Sequence, residues 1–536
     1  MITLHDSKSD DLSHIQAIAA IDEGFGLDDY IVIKQRDDNQ WIGQIIETNR
    51  NISTVGDRLD PTIMHGLKLM QEYENVQSIE FICVFNILIL GAFDGEILTT
   101  PRLRPLPGSI VEKLSPDMVR SVIEIPDVKT HASGKTNVIG VLMNADDVPL
   151  CVNQYLFNHH IMVAGGTGSG KSNTSANLVV QALEYRKCVL IHDAKPDYTF
   201  ISNPNTDRRV SKKWPIFQKY GLSPYVPDDI KRIGFYGYCD PNKVDMVVGM
   251  KASDFSSGML AGFFFSDSDP ILQYENFAGC TEHLKELQIQ NGTPSYSVVD
   301  ILSEIDRRIE SEELNRSNAE AIKRKVRNRI RHLPWLDSVG TAINTINAGG
   351  GRLDQLASNR TITVECFDIE RFAEEGRIIV IDYSEMDAQS YALILSYFLK
   401  ICHSYRRKAK PVGIVQLVDE AHRIFDNESK YSNALSGAFE RAMREGRTID
   451  HSIIISLQNA SQIPHRVMNN LNSKIVMRQN SKQEAKDATQ TMGDDYAVQS
   501  MKLGTGQALI SLFESKAVVL AQMAPSPFEL RRTDNV

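Results

Sequence analysis

Cysteine is scarce in this chain and never clustered. Seven occur in 536 residues, and no two are spaced Cys-x-x-Cys. The sequence therefore offers neither a zinc-type ligand set nor a disulfide framework, and a reducing, cytoplasmic setting is expected. Long apolar runs are also missing. The longest, Phe81 to Phe93, is 13 residues broken by Asn86. A bilayer crossing needs roughly 20 apolar residues, so this run reads as a buried strand and no membrane partner is expected. Met1 to Asp10 lacks the basic and apolar regions of a secretory leader. Positive charge is not in surplus either. A net charge of −10 excludes a surface coated in basic residues for nucleic acid, but leaves room for a locally basic internal channel.

Against these absences stands one complete motif. The apolar run Ile161 to Ala164 leads into Gly165-Gly-Thr-Gly-Ser-Gly-Lys171-Ser172, and Asn173 to Glu184 follows with Leu178, Val179, Ala182 and Leu183 at helical spacing. Strand, glycine-rich loop and helix in that order form a P-loop. Glycines let main-chain N–H groups approach a polyphosphate, and the helix turns its positive end to the same anion. Gly165, Gly166, Thr167, Gly168, Ser169, Gly170, Lys171, Ser172 and Asn173 are the expected nucleotide contacts. Lys171 brings charge to the β/γ-phosphates, and Ser172 brings a hydroxyl ligand for Mg²⁺.

The length allows two or three domains. Residues 1–150 show short apolar segments (Tyr30 to Ile33, Trp41 to Ile46, Ile79 to Leu90) divided by turn formers, and Pro101 to Gly108 is too proline-rich for helix or central strand. This predicts a small β-rich domain, barrel-like and ending in the strand Val138 to Leu142. Beyond the P-loop, Cys188 to Ile191, Ile378 to Ile381, Ile414 to Val418, Ile453 to Ile455 and Lys474 to Met477 are continuous apolar runs, most of them ending in polar residues. They predict a parallel sheet covered on both faces, with ligands at the strand C-terminal ends. The core is assigned to 151–200 and 356–522, closed by an antiparallel pair (Gly506 to Phe513, Lys516 to Leu520). Residues 201–355 read as a mainly helical insertion, with Asp300 to His332 strongly helical, and 523–536 read as a tail. Basic Lys323 to His332 reads as a solvated helix face paired with Glu310 to Glu313, the alternative being a phosphate-contacting face.

Val418-Asp419-Glu420 ends an apolar strand in two carboxylates. Asp419 can hold Mg²⁺, and Glu420 can polarise the attacking water. Gln458, after Ile453 to Leu457, is placed to sense the γ-phosphate; the plain alternative is a buried amide bonded to backbone. Arg441, Arg444 and Arg447 lie between these motifs, and Gly446 can end their helix. Arg447 first and Arg444 second are candidates for an arginine finger reaching a neighbouring subunit, with a surface ion-pair cluster as the alternative. His159-His160 point to opposite sides of a strand, so structural roles are expected of them.

Taken in order, these motifs resemble the HerA branch of the HerA/FtsK superfamily of DNA-translocating ATPases. The resemblance includes Pro105 to Val111, Asn158 to Ser172, Ile191-His-Asp-Ala-Lys-Pro-Asp-Tyr198, Val418 to Arg423, Arg444 to Arg447 and Ser456 to Gln462. It implies an α/β fold: a RecA-like P-loop ATPase core with an N-terminal β-barrel domain (HAS-barrel-like) and a helical insertion. It also implies ATP and Mg²⁺ as ligands, a homohexamer, double-stranded DNA in the central channel, and a partner such as a NurA-type nuclease or, in anti-phage defence, a sirtuin-like NADase. Asp193-Ala-Lys-Pro-Asp197 departs from the archaeal resection pattern, where a Gly-Glu pair is common, and this favours the defence type. The leading reading is an ATP-driven translocase or helicase. The competing readings are a nucleotide-controlled ring scaffold for a partner effector and a coupling ATPase of the type IV secretion kind.

Overall fold

The computed structural model describes residues 1–530 apart from 5–12, 37–38, 54–60, 75–80, 94–97, 144, 146–147, 208–209, 211, 267, 293–294, 347–358, 426–429, 514 and 516. The core's expected start at 356 and the tail beyond Leu530 fall outside the described residues.

The N-terminal apolar segments form an antiparallel barrel. Its sheet runs His14–Ala20, Ile2–Thr3, Ile110–Lys113, Tyr30–Lys34, Gln40–Ser53 and Phe81–Phe93, and it closes where His14–Ala20 pairs with Phe81–Phe93. Closure removes exposed strand edges. Inside lie Ile31, Ile33, Trp41, Ile45, Phe85 and Ile87, which alternate along their strands as a half-buried sheet requires.

The ATPase sheet has twelve strands, in the order Met246–Val248, Asp229–Phe235, Arg377–Asp382, Cys188–Asp193, Ile414–Val418, His451–Leu457, His160–Ala164, Leu471–Met477, Gln507–Ser511, Val519–Met523, Val138–Leu142, Pro149–Cys151. Pairing is parallel up to Leu471–Met477 and antiparallel beyond it. Successive residues of each central strand enter opposite cores. Met162 and Ala164 join the cluster that includes the helices at 257–330, whereas Ile161 and Val163 join the one under the P-loop helix. Both faces are covered, which is why these strands read as unbroken apolar runs.

The structure corrects several expectations. Val138–Leu142 does not close the barrel; it pairs with Val519–Met523 on one side and Pro149–Cys151 on the other in the ATPase sheet, where both its edges find antiparallel partners. The 201–355 segment is helical over Ser257–Phe264, Ile271–Asn291, Val298–Glu310 and Arg316–Ile330, but it also supplies the parallel strands Asp229–Phe235 and Met246–Val248. The first carries charges over its half-buried first four residues and the second has three residues, so neither shows a long apolar run. The expected helix over Asp300 to His332 is two helices, because Asn315 caps the second with its side chain. Lys323 pairs with Asp306 and Glu320 and not with Glu310 to Glu313. The stretch after Met523 is not a loose tail: Ala524, Ser526 and Phe528 are buried. Among the described residues, no helix is long and apolar enough to cross a membrane.

Candidate functional site

The P-loop strand His160–Ala164 lies between His451–Leu457 and Leu471–Met477, so its loop emerges at the C-terminal edge of the parallel sheet, where such folds bind ligands. Neighbouring strands grip the loop. Gly165 N donates to Leu457 O at 3.2 Å, Gly166 N to Arg478 O at 2.8 Å, and Gly506 N to Ser169 O at 2.8 Å. A Cβ at Gly166 would stand 2.4 Å from the Asn480 amide, which would have to shift, and Gly170 enters the helix at φ 111°. Among the described residues, the N–H groups of Thr167, Gly168, Gly170, Lys171 and Ser172 carry no hydrogen bond. Those groups, not the N–H of Gly165 or Gly166, are available to an anion. Lys171 is buried, and its Nζ donates to Gly166 O at 3.5 Å. Burial depresses its pKa, against the pull of Glu420 and Asp419.

Three aspartates converge below it. Cys188–Asp193 and Ile414–Val418 are adjacent parallel strands, so Asp193 and Asp419 end side by side. Ser172 Oγ donates to Asp197 Oδ2 at 2.8 Å, and Asp193 Oδ2 accepts from Tyr198 N at 3.0 Å. Burial raises the pKa of Asp193 well above its ordinary value, with the Asp419 charge adding to it. Burial likewise raises Asp197. Asp419 is pushed up to about 7, by burial first and then by the Asp197 and Glu420 charges. Asp419 Oδ2 is buried without a well-formed hydrogen bond. Mutually repelling buried carboxylates with an orphaned oxygen suit a hard cation. Among the described residues, no group of three or more His, Cys, Asp and Glu side chains is arranged to hold a metal by itself. Ser172 and Asp419 therefore fit Mg²⁺ best when nucleotide phosphates complete its coordination.

Glu420 sits in the left-handed region, at φ 49°, a conformation costing about 1–2 kcal/mol for a residue with a Cβ. Its environment holds it there. Lys195 Nζ lies 2.7 Å from Oε1, Gln458 Nε2 donates to both oxygens at 2.8 and 3.0 Å, and His422 Nε2 is 3.2 Å from Oε2. Burial alone would raise the Glu420 pKa, but the Lys195 and Gln458 hydrogen bonds keep it below the usual value. The carboxylate stays ionised, as a group polarising water must be. Thr167 Oγ1 donates to Gln458 Oε1 at 3.2 Å, so one amide links the P-loop to the candidate base. Gln458 thus bonds side chains, not only backbone.

The arginines lie elsewhere. Helix Lys430–Gly446 and the turn Arg447–Ile449 precede the strand His451–Leu457, placing Arg444 and Arg447 at the N-terminal edge of the sheet. The strand's seven residues separate them from the P-loop by roughly 20 Å. Arg447 Nη2 donates to Asn472 Oδ1, and its guanidinium lies 5.8 Å from the Phe513 ring centre. Arg444 is 70% exposed and pairs with Glu440 at 3.3 Å. Neither can reach its own chain's P-loop. At the same edge, His160 is buried against Met443 O and His159 stacks on Phe513.

Asn173, expected to contact nucleotide, is occupied otherwise: its Nδ2 donates to Ala524 O at 2.7 Å, and its Oδ1 accepts from Ser526 N at 2.5 Å. It pins the segment after Met523 to the P-loop helix. Conversely, Asp193, Lys195 and Asp197 enter the site although sequence reasoning assigned them no role. The signal available was the one that marked Asp419, a carboxylate closing an apolar strand.

Comparison with known proteins bears on the family and the fold. The family signature described as "Helicase HerA, central domain" matches residues 137–402, and that of "Zonular occludens toxin (Zot)" matches 319–510. The DNA double-strand break repair helicase HerA of Sulfolobus acidocaldarius is 22% identical over 90% of this chain and 85% of its own length. The protein of the same name from Sulfurisphaera tokodaii is 23% identical over the same shares. Among solved structures, the plasmid coupling protein TrwB, in complex with a non-hydrolysable GTP analogue, superposes with a TM-score of 0.50 and 13% identity over 78% of this chain and 95% of that one. That likeness concerns the fold.

Proposed function

The chain is a HerA-type ATPase of the HerA/FtsK superfamily, and from that premise we propose that it is an ATP-driven DNA translocase of helicase type, working as a homohexamer with double-stranded DNA in the ring's channel. The observation that carries this reading is the division of the catalytic groups. The P-loop, Asp419, Glu420 and Gln458 stand at one edge of the sheet, and the candidate finger Arg447 stands at the other. Such a site is completed by the arginine of a second copy.

In the proposed cycle, the free N–H groups of Thr167, Gly168, Gly170, Lys171 and Ser172 and the Lys171 ammonium hold the phosphates of ATP. Ser172 and Asp419 would hold Mg²⁺, which would supply charge neutralisation at the transferred phosphoryl group. Glu420 orients and polarises the attacking water. Gln458, hydrogen-bonded to both Glu420 and Thr167, reports the state of the phosphate to the base. Arg447 from the neighbour stabilises charge on the transferring group.

The relatives' names place them in double-strand break repair, which supports a role in DNA end processing. Cutting is then left to a partner, a NurA-type nuclease. The alternative partner is a defence effector such as a sirtuin-like NADase. The test combines native mass measurement with hydrolysis assays. A hexamer whose ATPase is stimulated by duplex DNA is expected; a monomer whose ATPase ignores DNA overturns the reading. Co-purification from the native host identifies the partner, and its persistence with Lys171→Ala would favour a scaffold over a motor.

A further inference from the structure

Helices Ser257–Phe264, Ile271–Asn291, Ala388–Arg407 and Lys430–Gly446 enclose a cavity of about 540 Å³ that no P-loop residue lines. Its walls from the last two helices are Ser396 to Arg407 and Gly437 to Ala442. These are later turns of helices that run back toward the strand N-termini, so the cavity lies away from the catalytic edge.

Its chemistry is unusual for a structural void. Lys285, Lys400, Arg407 and Arg441 face it, and Asp254 is the one carboxylate in its lining. Asp254 Oδ2 is turned to the Lys251 N–H, 2.8 Å away. Among the described residues, Lys285 and Arg441 make no hydrogen bond or ion pair. Lys400 Nζ reaches only the main-chain oxygen of Asp254, at 3.3 Å, and Arg407 has a single loose pair, 3.9 Å from Glu445. Burial depresses the Lys400 pKa, and Lys285 depresses it further. Four cations gathered with so little counter-charge repel one another, and a multivalent anion relieves that repulsion. Tyr274 lines the cavity beside the charges, together with Phe255 and Tyr397, whose rings lie 6.2 Å apart. A phosphate chain for the cations, an aromatic body for the tyrosine and a volume within the small-ligand range describe one class of molecule.

We propose that this cavity is a second nucleotide site: Lys285, Lys400 and Arg441 take the phosphates of a free nucleotide, and Tyr274 takes its base. The site is independent of the P-loop and holds whether or not the ring translocates DNA.

Equilibrium dialysis of the full-length Lys171→Ala chain against labelled ATP and ADP tests it. Nucleotide binding is expected to survive Lys171→Ala, to weaken about tenfold or more on adding Lys400→Ala and Arg441→Ala, and to be retained with Lys400→Arg and Arg441→Lys. Loss of all binding in Lys171→Ala overturns the proposal, as does residual binding that ignores Lys400 and Arg441. If the alanine pair weakens binding of a short DNA duplex and leaves nucleotide binding intact, the cavity grips a DNA backbone and the nucleotide assignment fails. Circular dichroism of the variants separates misfolding from loss of a site.

Discussion

The two edges of the ATPase sheet carry opposite chemistry on the same strands. The C-terminal edge gathers Asp193, Asp197, Asp419 and Glu420 around Lys171 and a row of free N–H groups, and most of it is buried. The N-terminal edge presents Arg444 and Arg447, with Arg444 largely exposed. The first edge is over-determined, since Glu420 alone has Lys195, Gln458 and His422 against it. The second is spare: Arg447 is held by one asparagine and one ring. The difference suits the roles proposed for them: a base is fixed before substrate arrives, whereas a finger acting between copies has to meet a surface that its own chain does not supply.

The largest effect is expected at the acidic edge. Lys171→Ala should abolish hydrolysis, and Glu420→Gln should lower kcat by about 10²–10⁴ while nucleotide still binds, as measured by phosphate release and nucleotide titration. At the arginine edge, Arg447→Ala should cost about 10³ or more in kcat in the assembled protein. Mixing Arg447→Ala chains with Lys171→Ala chains should restore part of the activity, because each brings the half that the other lacks. No restoration in mixed rings would sink the division between copies. Lys195→Met should be milder, about tenfold in rate or roughly 1.4 kcal/mol. Without its ammonium, burial raises Glu420 against only Gln458 and His422, so the acid limb of the pH–rate profile should move to higher pH.

Two predictions concern what lies between and behind the edges. A buried polar row crosses mid-sheet: Tyr383 OH to His192 Nδ1 at 3.1 Å, His192 Nε2 to Gln416 at 2.8 Å, and Gln416 to His451 at 2.8 Å. Burial lowers His192 and His160 to about 4 and His451 to about 3, from an ordinary value of 6.5. A histidine that is neutral when folded but protonated when unfolded destabilises the fold as pH falls through its unfolded pKa. These histidines therefore cost stability as pH falls from about 7 toward 4, while the raised Asp193 and Asp419 act in the opposite sense; relative to the unchanged chain, the melting temperature of His160→Gln should fall less over that range. The smallest effect belongs to Asn173→Ala, which releases Ala524 and Ser526. A loss of about 1–3 kcal/mol is expected, read as a melting point lower by a few degrees, with Lys171 still able to bind nucleotide.

Much of this site was legible from residue order. Lys171 and Ser172 were read from the P-loop motif and Asp419, Glu420 and Gln458 from the ends of apolar strands, and the structure brings them to one edge. Asp193 carries the same mark and passed unassigned. Lys195 and Asp197 lie in the turn after it, where nothing local shows that Glu420 and Ser172 will meet them. The side chain of Asn173 is taken by a partner 351 residues away, which nothing beside the P-loop signals. Asp229–Phe235 escaped because a strand near the edge of the sheet is only half-buried and keeps its charges.

Sequence by itself determined the chemistry of the loop and the parallel character of the central strands. Both are short-range properties: glycine spacing lets the main chain meet phosphate, and a strand covered on both faces must be apolar throughout. Only the tertiary structure decided which strands are neighbours, and with them the meeting of Asp193 with Asp419, the clasp of Lys195 and Gln458 on a left-handed Glu420, and the exile of Arg447 from its own P-loop. Strand order is fixed by crossovers between residues far apart in the chain, and no local pattern encodes it.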